Sequence, residues 1–407
     1  MAWASRNASE RLRIVVLGYL VRGPIGGMAW HHLQYVLGLC AMGHDVYFME
    51  DSGDDAWACY DPQRDVTDAD PSFGLAFAAA TFARAGFADR WAYHDALGGR
   101  WLGPAADRLL SICTSADVCL NLSGANVLRQ WVMDIPVRVY VDTDPVFTQI
   151  RNLLDPKRRA HALSHTAFFS FGENFRNPGC TIPDDGFAWQ PTRQPVVLDA
   201  WPVTAGPDRA PFTTVMVWDS YPAQEYAGRT FGMKSASFAD YFDLPARTQE
   251  TLELALGGAS APRAELRRKG WQLLNPLEPS RDPWTYQRYL QRSKAEFSLA
   301  KHGYVAARSG WFSERSAGYL ASGRPVVVQE TGFSDWLDAD GGVIAFNTPD
   351  EAIAGVGDVG RRYTYHCRAA REIAEQYFDA RSVLARLLDS AGRPQVGGDA
   401  EAAKVPT

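Results

Sequence analysis

An apolar run, Arg13-Ile-Val-Val-Leu-Gly-Tyr-Leu-Val21, opens the chain's first regular stretch and is followed by the turn Arg22-Gly-Pro-Ile-Gly-Gly27. A helical stretch over residues 28–42, the break Gly43-His-Asp45 and a second apolar run, Val46-Tyr-Phe-Met49, come next. Strand, helix and strand in that order close as a parallel crossover, and a parallel sheet needs helices on both faces. The opening fifty residues therefore predict an α/β fold with a doubly wound, Rossmann-like sheet. Strands over 118–122, 137–141 and 167–171, with helices over 104–114 and 156–165, continue the alternation. The seven aspartates between Glu50 and Asp70 read as a solvated acidic excursion.

From residue 187 to 207 the chain is rich in Pro and Trp, with a short extended piece at 195–198. Prolines at this density oppose a helix and suit a stiff crossing between two bodies. A second α/β series follows, with strands predicted over 213–218, 270–274, 295–299, 325–329 and 343–346 and helices over 247–256, 283–292, 313–322 and 369–388. A length of 407 residues fits two domains. The expected division is an amino-terminal domain over 1–190, a carboxyl-terminal domain over 191–391 and a disordered tail over 392–407. Ligands of such sheets bind outside the carboxyl ends of the strands, so two facing sheets define a cleft.

Composition removes several classes. A net charge of -6 offers no broad basic surface, which argues against nucleic acid as a bulk partner. The longest apolar runs fall short of a transmembrane segment, and six scattered cysteines without a CxxC pair suit a reducing, cytoplasmic setting.

The most informative segment runs from Lys301 to Phe333. A loop containing Ser309 and Gly310 enters a helix near Ser313, and Gly323-Arg-Pro325 ends it. Helix-start amides, the hydroxyls of Ser309 and Ser313, and the cations Lys301 and Arg308 together suit an anion, with a diphosphate the natural occupant. The turn Glu330-Thr331-Gly332 offers polar groups to sugar hydroxyls. As helix caps alone, Ser313 and Gly323 are explained equally well, but the flanking cations are not.

Over residues 301–333 the chain resembles the GT-B superfamily of nucleotide-sugar-dependent glycosyltransferases. More loosely, Thr192-Arg-Gln-Pro-Val-Val-Leu198, Val141-Asp-Thr-Asp-Pro145 and Phe171-Gly-Glu-Asn174 extend a resemblance to bacterial family-1-like members. The resemblance implies two Rossmann-like domains, a nucleotide-sugar donor held by the second, and a small-molecule, lipid or glycan acceptor held by the first. It implies no bound cofactor and no metal. One position departs from the pattern: the Glu that holds the ribose in many members, five residues before the glycine of Gly-x-Pro, is Gly318 here. Glu314 stands one turn earlier as a substitute.

The amino-terminal turn is the second constellation. Gly26 and Gly27 allow close backbone approach to the donor, and the turn does not match the dinucleotide fingerprint GxGxxG. His31 and His32 follow in the first helical turns. In some inverting GT-B members a histidine here deprotonates the acceptor, and neighbours on a helix diverge by about 100°, so at most one of the two is expected to face the cleft; histidines on the helix surface or satisfied in the core explain the pair equally well. Asp144, in Asp142-Thr-Asp144, is the third candidate base; capping of its own turn explains it comparably well, and Glu173 is a weaker candidate. The expected reaction is metal-independent transfer of a sugar from a nucleotide-diphosphate sugar to an acceptor hydroxyl. The rivals are a nucleotide-sugar epimerase on the same fold and a non-catalytic sugar-nucleotide-binding protein.

Overall fold

The computed structural model describes residues 11–338 and 341–392. Two parallel sheets organise them. The first runs, in spatial order, Gln190–Pro191, Ala167–Ser170, Val137–Asp142, Val118–Leu122, Arg13–Leu17, Asp45–Asp51, Trp91–Asp95 and Arg100–Leu102, with only the last pair antiparallel. The second runs Gln272–Leu274, Leu252–Gly257, Phe212–Val217, Ala295–Ser298, Val326–Gln329 and Val343–Phe346, all parallel. This second order is the doubly wound arrangement in which the third, second and first strands precede the fourth, fifth and sixth. In both sheets the central strands are buried on both faces, which is why they read as unbroken apolar runs.

The order reverses at the first strand of each sheet. Crevices open there, at the carboxyl ends of Arg13–Leu17 and Val118–Leu122 in one sheet and of Phe212–Val217 and Ala295–Ser298 in the other. The chain crosses between the halves twice. Val196 in the Pro-rich crossing bridges Asp379 in the return crossing: the Val196 N–H donates to Phe378 at 2.7 Å and the Ala380 N–H to Val196 at 2.9 Å. The return leg is the reason the predicted single helix over 369–388 is broken into Tyr363–Ile373, a π-turn at Ala374–Phe378 and Ala380–Ala391. The last of these packs on the helix Gly26–Ala41, where a side chain on Gly38 would meet Leu384 at 2.6 Å. The expected tail over 392–407 lies outside the described residues apart from Gly392.

Two other expectations are corrected. Residues 247–256 are not a helix; a short 3₁₀ turn at Leu244–Arg247 leads to the strand Leu252–Gly257. Leu and Glu favour a helix there, but Leu252, Leu254 and Leu256 recur with a period of two, all buried, and the slot between two strands overrides propensity. The acidic excursion begins inside the protein. Glu50 is fully buried and accepts from the Val21 and Arg22 N–H groups, each at 2.7 Å, and from Arg22 Nε at 3.1 Å. Asp51 is held by Arg129 and His94, and the remainder folds as a hairpin of Cys59–Asp61 and Val66–Asp68. Among the described residues no helix is long and apolar enough to cross a membrane, and the six cysteines are free thiols.

Candidate active site

A cleft of 1180 Å³ lies between the carboxyl ends of the two sheets. The first half contributes Tyr19, Gly27, His31, Ser123, Thr143 and Asp144; the second contributes Lys234, Arg263, Lys301, Ser313, Glu314 and Arg315. The helix Glu314–Ala321 points its amino terminus at this space. Ser313 caps it, its Oγ accepting from the Arg315 N–H at 3.2 Å. Arg315 pins the helix from beneath, donating to Glu296 at 2.7 Å, Ser298 at 2.7 Å and the Val215 carbonyl at 2.9 Å. Arg263 likewise holds the loop after Leu252–Gly257 through the carbonyls of Gly258 and Leu256.

Lys234, the first residue of the helix Lys234–Phe238, is different. Among the described residues its ammonium makes no hydrogen bond or ion pair. Burial, with Arg315 and Lys301 near, pulls its pKa down to about 7. An uncommitted cation bordering a cleft suits an anion such as a diphosphate. Glu314 also lines the cleft, its carboxylate without a hydrogen-bond partner among the described residues.

The adjacent histidines separate as the helix geometry requires. His31 lines the cleft, and neither ring nitrogen has a partner among the described residues, Nε2 being buried without one. Burial lowers its pKa from 6.5 while Glu314 opposes, so the imidazole is neutral at pH 7. His32 is fully buried behind it. Its Nδ1 donates to the Met28 carbonyl at 2.6 Å and its Nε2 accepts from the Tyr19 N–H at 3.1 Å, so neither nitrogen is left to take a proton from a ligand.

Asp144, the third candidate base, sits at the joint between the two halves. Its carboxylate accepts from Lys301 Nζ at 2.7 Å, Tyr304 Oη at 2.5 Å, Tyr221 Oη at 2.5 Å and Arg151 at 2.6 Å. Burial would raise its pKa, but Lys301 and Arg151 prevail and hold it below 3.8, which makes it a poor proton acceptor near neutrality. Asp142 is spent within its own half, accepting from Thr148, Ser170 and Gln149.

No protein-family model matches the sequence, and no curated protein is similar to it. Solved structures do match. An alpha-glucosyltransferase in complex with UDP and a 13-mer DNA containing a central A:G mismatch superposes with a TM-score of 0.57 at 11% identity, over 94% of this chain and 100% of that one. Anabaena HepE in complex with UDP and glucose gives 0.54 at 10% identity, over 93% and 99%. Sucrose-phosphate synthase from Thermosynechococcus elongatus gives 0.50 at 13% identity, over 94% and 100%. The chain has the GT-B fold.

Several of the sequence-predicted donor residues make contacts within the second half or across to the first. Arg308, at φ 48°, turns its guanidinium to Asp335 at 3.2 Å and does not line the cleft. Ser309 is fully buried, its Oγ accepting from the Trp311 N–H. Gly310 and Gly332, at φ 74° and 95°, fold their loops onto Asn174 of the first half, where a side chain on either would collide. Asn174 Nδ2 donates to the carbonyls of Gly332 at 2.8 Å and Arg308 at 3.1 Å. Glu330 closes its own turn on the Gly332 N–H, and Thr331 donates to the Trp311 carbonyl at 2.5 Å. Gly26 abuts the Asp282 backbone, so a side chain there would lie 2.4 Å from its carbonyl oxygen; Gly27 borders the cleft beside Tyr286. Lys301, Ser313 and Glu314 remain in the cleft, although Lys301 is engaged by Asp144.

Sequence reasoning missed Lys234, Arg263 and Arg315. Lys234 had one signal, Gly232-Met-Lys at a helix start, too short for any period to mark it.

Space for a side chain at position 318 is tight. A side chain on Gly318 would meet Leu290 and the Trp201 ring, each at 3.3 Å. Gly318→Glu is therefore expected to destabilise the protein by about 1–3 kcal/mol through overpacking, measured by urea denaturation. Unchanged stability would show that Trp201 and Leu290 yield.

Proposed function

We propose that this protein transfers a glycosyl group from a nucleoside-diphosphate sugar to an acceptor hydroxyl, the second half holding the donor and the first half the acceptor. One observation carries the reading: the unpaired Lys234 and the capped helix Glu314–Ala321 share a cleft with the unbonded, neutral imidazole of His31. The alpha-glucosyltransferase and HepE structures contain UDP, and HepE also glucose, which supports a uridine diphosphate donor.

In the proposed reaction the bond from the sugar C1 to the diphosphate oxygen breaks and a bond from C1 to the acceptor oxygen forms. Negative charge grows on the departing diphosphate, where Lys234 and the helix amides stabilise it. The acceptor proton passes to His31. Glu314, with its free carboxylate on the same helix end, accepts from donor hydroxyls in place of a residue at 318. No step of this reading calls on a metal. The reading places the enzyme in the cytoplasm, where its free thiols stay reduced.

The test is release of nucleoside diphosphate from a panel of nucleotide sugars, with neutral saccharides, lipids and a DNA oligonucleotide offered as acceptors. DNA is included because one protein of this fold was solved with it, although a net charge of -6 gives this chain little attraction for a polyanion. His31→Gln is expected to lower kcat roughly 100-fold or more with donor affinity kept. The kcat/KM profile is expected to fall on the acid side as His31 protonates, below its usual 6.5 because its pKa is lowered, and on the alkaline side above about 7 as Lys234 loses its proton. Tight nucleotide-sugar binding without turnover for any acceptor would favour a binding protein, and acceptor-free interconversion of sugars an epimerase.

A further inference from the structure

At the switch point of the first sheet, three successive carboxyl-terminal turns bring hydroxyls to one wall of the cleft. Tyr19 follows the strand Arg13–Leu17, Ser123 follows Val118–Leu122 and Thr143 follows Val137–Asp142; all three line the cleft. Ser123 Oγ lies 3.2 Å from Tyr19 Oη and 2.7 Å from Thr143 Oγ1. Three hydroxyls joined by two hydrogen bonds still have an O–H and several lone pairs to offer. The turn is held at a cost: Ser123 has φ 57° and is followed by Gly124 at φ 56°, a conformation that disfavours any residue but glycine. Serine at such a position retains a hydroxyl where glycine would relieve strain. The Gly124 carbonyl is tied down by His161 Nε2 at 3.0 Å.

The buried charges on this wall are already engaged. Arg22 is engaged by buried Glu50, Arg151 by Asp144, and Asp142 by Thr148, Ser170 and Gln149. Burial raises the Tyr19 phenol to about 12, so it stays an uncharged donor. Arg158 and Asp65, one of each sign, are exposed lining residues, and Asp65 already accepts from Tyr60. A charged acceptor group seated against Tyr19, Ser123 and Thr143 would have only the exposed, solvent-screened Arg158, or for a cation Glu314 across the cleft, to offset its desolvation. A neutral one, carrying several hydroxyls, would complete the row.

We propose that Tyr19, Ser123 and Thr143 form the acceptor subsite and select an uncharged, polyhydroxylated acceptor, a carbohydrate or glycoside, over an anionic or cationic one. This rests on the glycosyl-transfer reading for what the bound hydroxyl does next. The test is calorimetric titration of the UDP-saturated protein with neutral probes (methyl glucoside, maltose, maltotriose) and charged ones (glucose 6-phosphate, glucosamine). The expected result is saturable binding of a neutral probe, tighter than either charged one. Ser123→Gly, which keeps the backbone and relieves its strain, and Tyr19→Phe, which keeps the ring, should each weaken that binding about fivefold without changing UDP affinity. No neutral binding, tighter binding of a charged probe, or neutral binding indifferent to both variants would overturn the proposal. Absence of UDP binding would instead overturn the donor assignment, and the same saccharide titrations without UDP would still decide the subsite.

Discussion

Asp144→Ala should unfold at markedly lower denaturant than the wild type, with a loss of about 3–5 kcal/mol. The carboxylate accepts from Lys301, Tyr304 and Tyr221 of the second half and from Arg151 of its own, so truncation leaves a mostly buried ammonium and three further donors without their acceptor. The neighbouring backbone shows how much rests on this joint. Val146 is a buried β-branched residue at φ 75°, a strain of about 1–3 kcal/mol. That strain is offset because the turn drives Phe147 into the second half against Gly303, where a side chain would lie 2.5 Å from the ring, and burying a phenylalanine stabilises by about 1.5–3 kcal/mol. The pH dependence follows from the sign of the shift. Asp144 has a folded pKa below its usual 3.8, so its stabilisation is fully present above that value and is lost as pH falls through the lower folded one. The gap between wild type and Asp144→Ala should stay constant from pH 7 to 5 and close only in stronger acid. Wild-type stability with abolished transfer would identify Asp144 as a base after all.

Lys234→Ala carries the second large effect. Loss of one charge-assisted contact to a diphosphate is expected to weaken UDP binding roughly 10- to 100-fold, with little change in folding stability, since no partner among the described residues is orphaned. The wild type should bind more weakly as pH rises from 7 to 9. Free Lys234 gives up its proton near 7 while a bound diphosphate keeps it charged, so binding at pH 8 takes up a proton. Calorimetry in buffers of different ionisation enthalpy reads that proton directly. The variant should show neither the pH slope nor the uptake; an unchanged slope would place the diphosphate elsewhere.

Much of the fold was legible because parallel, doubly covered strands leave unbroken apolar runs: 118–122 is the same span in sequence and structure, and 137–141 and 343–346 differ by a residue or not at all. The strand at Leu252–Gly257 was misread because its residues favour helices and its period of two is short. The site was only half legible. Glycines and small polar residues around 308–310 and 330–332 look alike whether a turn cradles a phosphate or folds against a neighbouring domain, and here positive φ at Arg308, Gly310 and Gly332 aims them at Asn174. His31 was distinguishable from His32 only in kind, since a helix turns one of any adjacent pair away. Lys234 sits in a five-residue helix with no pattern to mark it, and its significance lies in what fails to pair with it.

The central claim is that the cleft binds a nucleoside diphosphate by its terminal phosphate. Parallel titrations of the wild-type protein with UDP and with UMP test it directly, because the two ligands differ only in the group that Lys234 and the Glu314–Ala321 helix would meet. The expected result is UDP binding tighter than UMP by roughly tenfold or more; equal affinities, or no binding of either, would contradict it.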